Sequence, residues 1–145
     1  MALSKREILV PSAARTVSGT SGIIKLAEER SSGDFWPAVA GVIMLDVTAA
    51  SGTTPTLDLF IQEILPDGVS VNDWARFAQV TAAGQRVIRA IPTGSGVEGV
   101  KQDAAMAAGN PKAGPIPTTL QVKWVIGGTT PSFTFSVQAD FYRPV

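Results

Sequence analysis

Apolar residues recur at every second position in two stretches of the chain. Leu57, Leu59 and Ile61 alternate with Thr56, Asp58 and Phe60; Phe133, Phe135 and Val137 alternate with Ser132, Thr134 and Ser136. A period of two marks a strand with one buried face, because successive side chains point to opposite sides. Both stretches belong to a longer repeat. Residues 45–62 read LDVTAASGTTPTLDLFIQ, and residues 122–138 read VKWVIGGTTPSFTFSVQ, with Gly-Thr-Thr-Pro identical at 52–55 and 128–131. Glycine supplies special backbone angles, and proline is tolerated where a strand opens. Each copy is therefore predicted to be a hairpin, one in each half of a sandwich.

The remaining pattern extends this picture. Residues 1–20 read as an N-terminal arm, in which residues 8–10 are strand-like until Pro11 stops them. Strands are expected at 21–27 and 35–48, with a charged loop between and Gly41 as a bulge or a site of close backbone approach. Pro66-Asp67-Gly68 signals a turn, and strands follow at 74–80 and 85–91. From 92 to 119 the periodicity collapses under repeated proline and glycine, and only 100–108 suits a short helix. Irregular connections of this length in a compact domain are usually functional or disordered. The segment is moderately apolar and is expected to order against a neighbouring subunit. The fold class expected is all-β: an antiparallel, jelly-roll-like β-sandwich of about seven or eight strands. One domain spans 21–145, with the arm before it and the long loop 92–119 inserted in it.

Composition narrows the function. The 145 residues balance 12 Lys and Arg against 12 Asp and Glu, so no global field steers the chain to nucleic acid or to a membrane. Cysteine and histidine are both absent, which removes disulfides, thiol chemistry, and the commonest general base and metal ligand. No targeting segment is evident, and the longest apolar stretch, 37–45, reaches about half of a membrane span. The chain is expected to be soluble and made without export.

Candidate chemistry is sparse. Asp46 and Asp58 flank the first Gly-Thr-Thr-Pro and would approach each other across a hairpin, yet alternation makes them solvent-face residues. Asp67, Asn72 and Asp73 offer oxygen ligands for calcium, but Pro-Asp-Gly forms turns unaided. Gly94-Ser95-Gly96 leads into no phosphate-loop helix. Trp36, Trp74 and Trp124 would suit a sugar-stacking platform, although their apolar surroundings favour the core. Lys5-Arg6 and Arg86 with Arg89 are the densest basic positions and lack the aromatic interleaving of a nucleic-acid face. We expect no enzyme, no cofactor and no metal site.

The hairpin-like run at 45–62, the W-x-x-F-A-Q-V-T-x-x-G motif starting at Trp74, and the closing LQVKWVIGGTTPSFTFSV at 120–137 resemble a family of small virion proteins of tailed bacteriophages. The match covers residues 40–91 and 119–141. It implies a particle component: most directly a head decoration (cement) protein on the capsid surface, made in the host cytoplasm. Its partners would be the major capsid protein or other virion subunits, and it would be a homo-oligomer, with a trimer around a capsid axis as one form. The arm and the long loop would make the intersubunit or capsid contacts, through Leu3, Ile8, Leu9, Val10, Val97, Val100, Met106, Pro111 and Ile116. The alternatives are a receptor- or glycan-binding fibre or tail module, and a tail or neck component.

Overall fold

A computed structural model describes residues 2–26, 40–90, 110–111 and 116–144. The described residues are all-β and antiparallel, as the alternation predicts. The strands are β1 (Ala2–Arg15), β2 (Gly19–Thr20), β3 (Ile24–Lys25), β4 (Ala40–Ile64), β5 (Val71–Arg76), β6 (Gly84–Ala90), β7 (Asn110–Pro111) and β8 (Thr119–Pro144). They form one hydrogen-bonded sheet in the order β1-β8-β4-β5-β7, with β2 and β3 also on β8 and β6 also on β4.

The repeat does not make two hairpins. Each copy is one long strand that passes through its Gly-Thr-Thr-Pro without reversing, and the two strands pair with each other from Ala40↔Tyr142 to Glu63↔Leu120. At the crossing Gly52 and Gly128 have φ of 111° and 108°, and Thr54 and Thr130 have φ of 47° and 46°. These left-handed residues shift the direction of each strand, and both strands bend together there. The close approach is symmetric. A Cβ on Gly52 would lie 2.7 Å from the Thr130 carbonyl oxygen and 2.9 Å from Pro131 Cα; a Cβ on Gly128 would lie 2.7 Å from the Thr54 carbonyl oxygen and 2.9 Å from Pro55 Cα. A local two-fold relation therefore runs through the point where Thr53 faces Thr129.

The bend divides the sheet into two leaves. In the first, β1 and β6 flank the C-terminal part of β8 and the N-terminal part of β4. In the second, β2, β3 and β5 flank the N-terminal part of β8 and the C-terminal part of β4. The inward residues, including Ile43, Leu45, Leu57, Leu59, Ile61, Leu120, Val122, Phe133, Phe135, Val137 and Phe141, form one core cluster shared by both leaves. Trp124 of the second leaf meets Phe135 of the first edge to face, at 5.7 Å between centroids.

The stretch expected to be an arm is largely strand. Residues 2–15 form an edge of the first leaf, and the strand continues through Pro11 because an edge position needs no outward N–H. The register shifts between Ile8 and Val10, a bulge that turns both Leu9 and Val10 into the core. Beyond Arg15 the chain follows β8 over the bend. Ser18 and Ser21 hydroxyls accept hydrogen bonds from the Ile126 and Val122 amides, taking the place of ladder bonds. The expected strand 21–27 is reduced to β3, and 74–80 is replaced by β5 plus a bridge from Val80 to Leu57. The possible helix at 100–108 lies outside the described residues, as do Trp36 and the glycines at 94 and 96.

The two-fold relation extends beyond the crossing. β5 lies on the C-terminal part of β4 as β1 lies on that of β8, and β6 matches β2 and β3 in the same way. The chain thus comprises two units, 2–64 and 71–144, interleaved strand by strand. Every ladder among the described residues joins one unit to the other, apart from the short β5–β7 pairing. Ala2 and Pro144 are themselves register partners, occupying the place that Ile64 and Val71 hold at the other junction. A circular permutant that joins residue 144 to residue 2 by a short Gly/Ser linker and opens between Asp67 and Gly68 should keep cooperative unfolding. Its expected loss is no more than about 2 kcal/mol, because loop-closure terms change slowly with length; urea denaturation measures it.

Candidate functional site

The outer face of the first leaf carries the best-formed surface feature. Register aligns Ile8, Gln138, Met44 and Val87 in one row across β1, β8, β4 and β6, and Arg6, Asp140 and Val42 in the next. Alternation puts the chain neighbours of these residues, Ile43, Leu45, Val137 and Phe141, in the core, so this face points to solvent. Ile8 is 66% exposed and Val87 52%. Arg6, Val42, Met44, Val87, Gln138 and Asp140 line a shallow cavity of about 280 Å³.

An ion pair bounds that cavity. Arg6 Nε donates to Asp140 Oδ1 at 2.9 Å and Nη2 to Oδ2 at 3.1 Å, a two-point clasp of β1 onto β8. The hydrogen bonds from Arg6 hold the Asp140 carboxyl below its usual range, and the guanidinium is raised in turn. A lowered carboxyl stabilises the fold above its unfolded-state pKa, and the effect is lost as pH falls through the native value. The stability difference between wild type and Arg6→Ala should therefore be present at neutral pH and shrink as pH falls through the lowered native pKa of Asp140, read from urea midpoints.

The outer face of the second leaf is polar and closed by its own contacts. Asp58 Oδ1 accepts from Arg76 Nη2 at 2.8 Å, and its Oδ2 accepts from Gln79 Nε2 at 2.8 Å. Arg76 and Lys123 stand 4.9 Å and 5.5 Å from the Phe60 ring centroid, which explains why Phe60 is buried on an outward position. Gln121 donates to Gln62 at 2.8 Å, and Gln62 donates to the buried Asp73 at 2.9 Å. A second depression of about 590 Å³ lies at the end of this leaf, lined by Ile23, Lys25, Glu63, Ile64, Pro66 and Pro117.

Where the leaves meet, Arg15 clamps the bend. Its Nη1 donates to the carbonyls of Ala13 and Phe135, and its Nη2 to that of Pro11, each at 3.0 Å. The guanidinium carbon lies 5.0 Å from the Trp124 ring centroid and 4.5 Å from that of Phe135. Partial burial lowers the pKa of Arg15.

The residues singled out from sequence are mostly structural. Asp46 and Asp58 do not face each other, because β4 does not fold back; they are opposite Ser136 and Val125 in different leaves. Asp67 caps its own turn, accepting from the Val69 and Ser70 amides at 3.0 and 2.8 Å. Asn72 donates to Glu63 at 2.7 Å. Among the described residues no cluster of acidic groups is arranged to hold a metal ion. Trp74 and Trp124 are buried, and Trp124 Nε1 donates to the Val17 carbonyl at 3.2 Å. Of the expected contact residues, Leu9, Val10 and Ile116 are taken up by the core, which leaves them no surface to present. Ile8 is exposed. Leu3 and Pro111 pair through their backbones with Arg143 and Ala75, and their side chains lie outside the description. Val97, Val100 and Met106 lie outside the described residues.

Sequence reading missed Val42, Met44 and Val87 as surface partners of Ile8. Residues 42–45 are continuously apolar, and Val87, which reads as the apolar partner of Arg86 in its strand, is exposed while Ile88 beside it is buried; only the long-range register brings the three to one place. No helix among the described residues is long and apolar enough to cross a membrane. No protein-family model matches the chain, and no curated protein matches it.

Proposed function

We propose that this chain is a non-enzymatic structural subunit of a tailed-phage particle, a head decoration (cement) protein that binds the shell and stabilises it. The sequence resemblance suggests the particle, and the residues that carry it are those of the crossing and the core, so what is shared is a rigid platform. The observation that carries the reading is the apolar row on the outer face of the first leaf, with Ile8 and Val87 both more than half exposed. The row is apolar apart from Gln138, which stands between Ile8 and Met44, and the Arg6–Asp140 pair borders it, a mixture of exposed apolar and polar groups that suits a protein contact. Its partner would be the major capsid protein or another virion subunit, with copies of this chain arranged symmetrically on the particle.

The test is co-sedimentation of the purified protein with particles that lack it, followed by a heat challenge. Saturable binding at a fixed ratio to the shell protein, with a raised particle melting temperature, is expected. The double variant Ile8→Asp/Val87→Asp should bind at least about tenfold more weakly, the cost of placing charges in a desolvated contact, while its own melting temperature moves little. Failure of the wild type to bind heads, with binding to tails or to cell-surface glycan instead, would replace this reading with the fibre or tail alternative. The buried Trp74 and Trp124 are not available as a stacking platform for a sugar.

A further inference from the structure

The interleaving of the two units has a bearing on what this chain can assemble with. Unit 2–64 has no ladder of its own among the described residues: β1, β2 and β3 pair with β8, and β4 pairs with β5, β6 and β8. Its strands are satisfied entirely by unit 71–144. The two units are joined by residues 65–70, where Leu65 and Ser70 pair through the backbone and Gly68 donates to the Leu65 carbonyl. Asp67 closes this turn with both of its carboxylate oxygens. Nothing in the core requires the two units to come from the same copy. A second copy presents the same β4 and β8 surfaces, with the same crossing at Gly52 and Gly128.

We propose that the inter-unit surface is also a self-association surface, and that its partner is a second copy of this chain. Two copies exchange units reciprocally across residues 65–70, so that β4 of each pairs with β8 of the other in a closed two-fold dimer. All ladders are preserved in this dimer, and only the turn changes. In the single copy the tight turn keeps the units at high effective concentration, which favours the monomer in dilute solution. Crowding copies together while they fold, or removing the turn, shifts the balance toward exchange.

The turn is tested by deleting residues 66–69. This leaves Leu65 joined to Ser70, a two-residue connection whose favoured turns need positive φ at the first position or at both, which neither residue favours. The variant is expected to double in mass by light scattering, with wild-type far-ultraviolet dichroism and a cooperative melt. A folded monomer would overturn the proposal. Should the deletion yield no folded protein, the full-length chain decides. Ser51 and Ser132 are register partners on β4 and β8, and the chain has no cysteine of its own. Isotopically labelled and unlabelled copies of Ser51→Cys/Ser132→Cys are unfolded, mixed, refolded over a range from micromolar to millimolar, and oxidised. Peptides joining position 51 of one copy to position 132 of the other, increasing with concentration, support exchange. Links confined to single copies at every concentration refute it.

Discussion

Gly52→Ala is expected to lower stability by about 2–5 kcal/mol, and Gly128→Ala by a similar amount. The left-handed backbone costs a residue with a Cβ about 1–2 kcal/mol, and forcing an atom into a packed site costs about 1–3 more. The methyl group would meet backbone on the opposing strand, the Thr130 carbonyl in one case and the Thr54 carbonyl in the other, and backbone cannot swing aside as a flexible side chain can. A domain of this size has about 5–15 kcal/mol in all, so either change is a large fraction of the total. The two-fold relation adds a sharper expectation. Because both glycines belong to one crossing, the double variant should lose clearly less than the sum of the single losses, the first methyl having already forced the strands apart. Urea denaturation of the four proteins checks this; full additivity would mean that the two sites do not share a contact.

Phe135→Ala should cost about 3–5 kcal/mol, the range for emptying a fully buried aromatic site. Phe135 is wholly buried, its ring meets Trp124 in a T-shaped contact, and Arg15 lies over it. Truncation removes a contact between the leaves and one of the two aromatic surfaces under the Arg15 guanidinium. Phe135→Leu keeps most of the volume and should lose no more than about 1.5 kcal/mol. Thermal and urea unfolding of both variants measures the difference. Equal losses would show that ring geometry, rather than filled volume, sets the stability of this contact.

Within the repeat, local alternation was a sound guide to which residues face inward; at 85–91 it was not, since Val87 is exposed and Ile88 is buried. Leu57, Leu59, Ile61, Phe133, Phe135 and Val137 are all fully buried, as their period of two requires. It was a poor guide to partners. Gly-Thr-Thr-Pro has the composition of a turn, and nothing within a few residues distinguishes a reversal from a shared bend. What decides between them is that each copy finds its best-matched partner in the other copy, a long-range fact for which the only sequence signal is the repeat itself. Pro11 misled in a related way: proline ends a central strand but is tolerated at an edge, and edge status depends on the whole sheet. The surface followed the same logic. Ile8, Leu9 and Val10 read alike in the sequence, as contact residues of one arm; Ile8 is exposed, whereas Leu9 and Val10 turn inward at a bulge that the sequence does not advertise. Phe60 occupies an outward position and is nonetheless covered, because Arg76 and Lys123 converge on it from β5 and β8.

The strand-by-strand interleaving also sets the conditions of biosynthesis. When residue 64 leaves the ribosome, the first three strands and β4 are complete, but every ladder they form among the described residues is to residues still to come. About 80 further residues at ~5–20 per second take about 4–16 s, during which an apolar β4 is exposed without those ladders. Nascent chains on the same messenger carry the same β4 and soon the same β8. Spacing between ribosomes, or a chaperone holding the first half, then determines whether each chain closes on itself or on its neighbour.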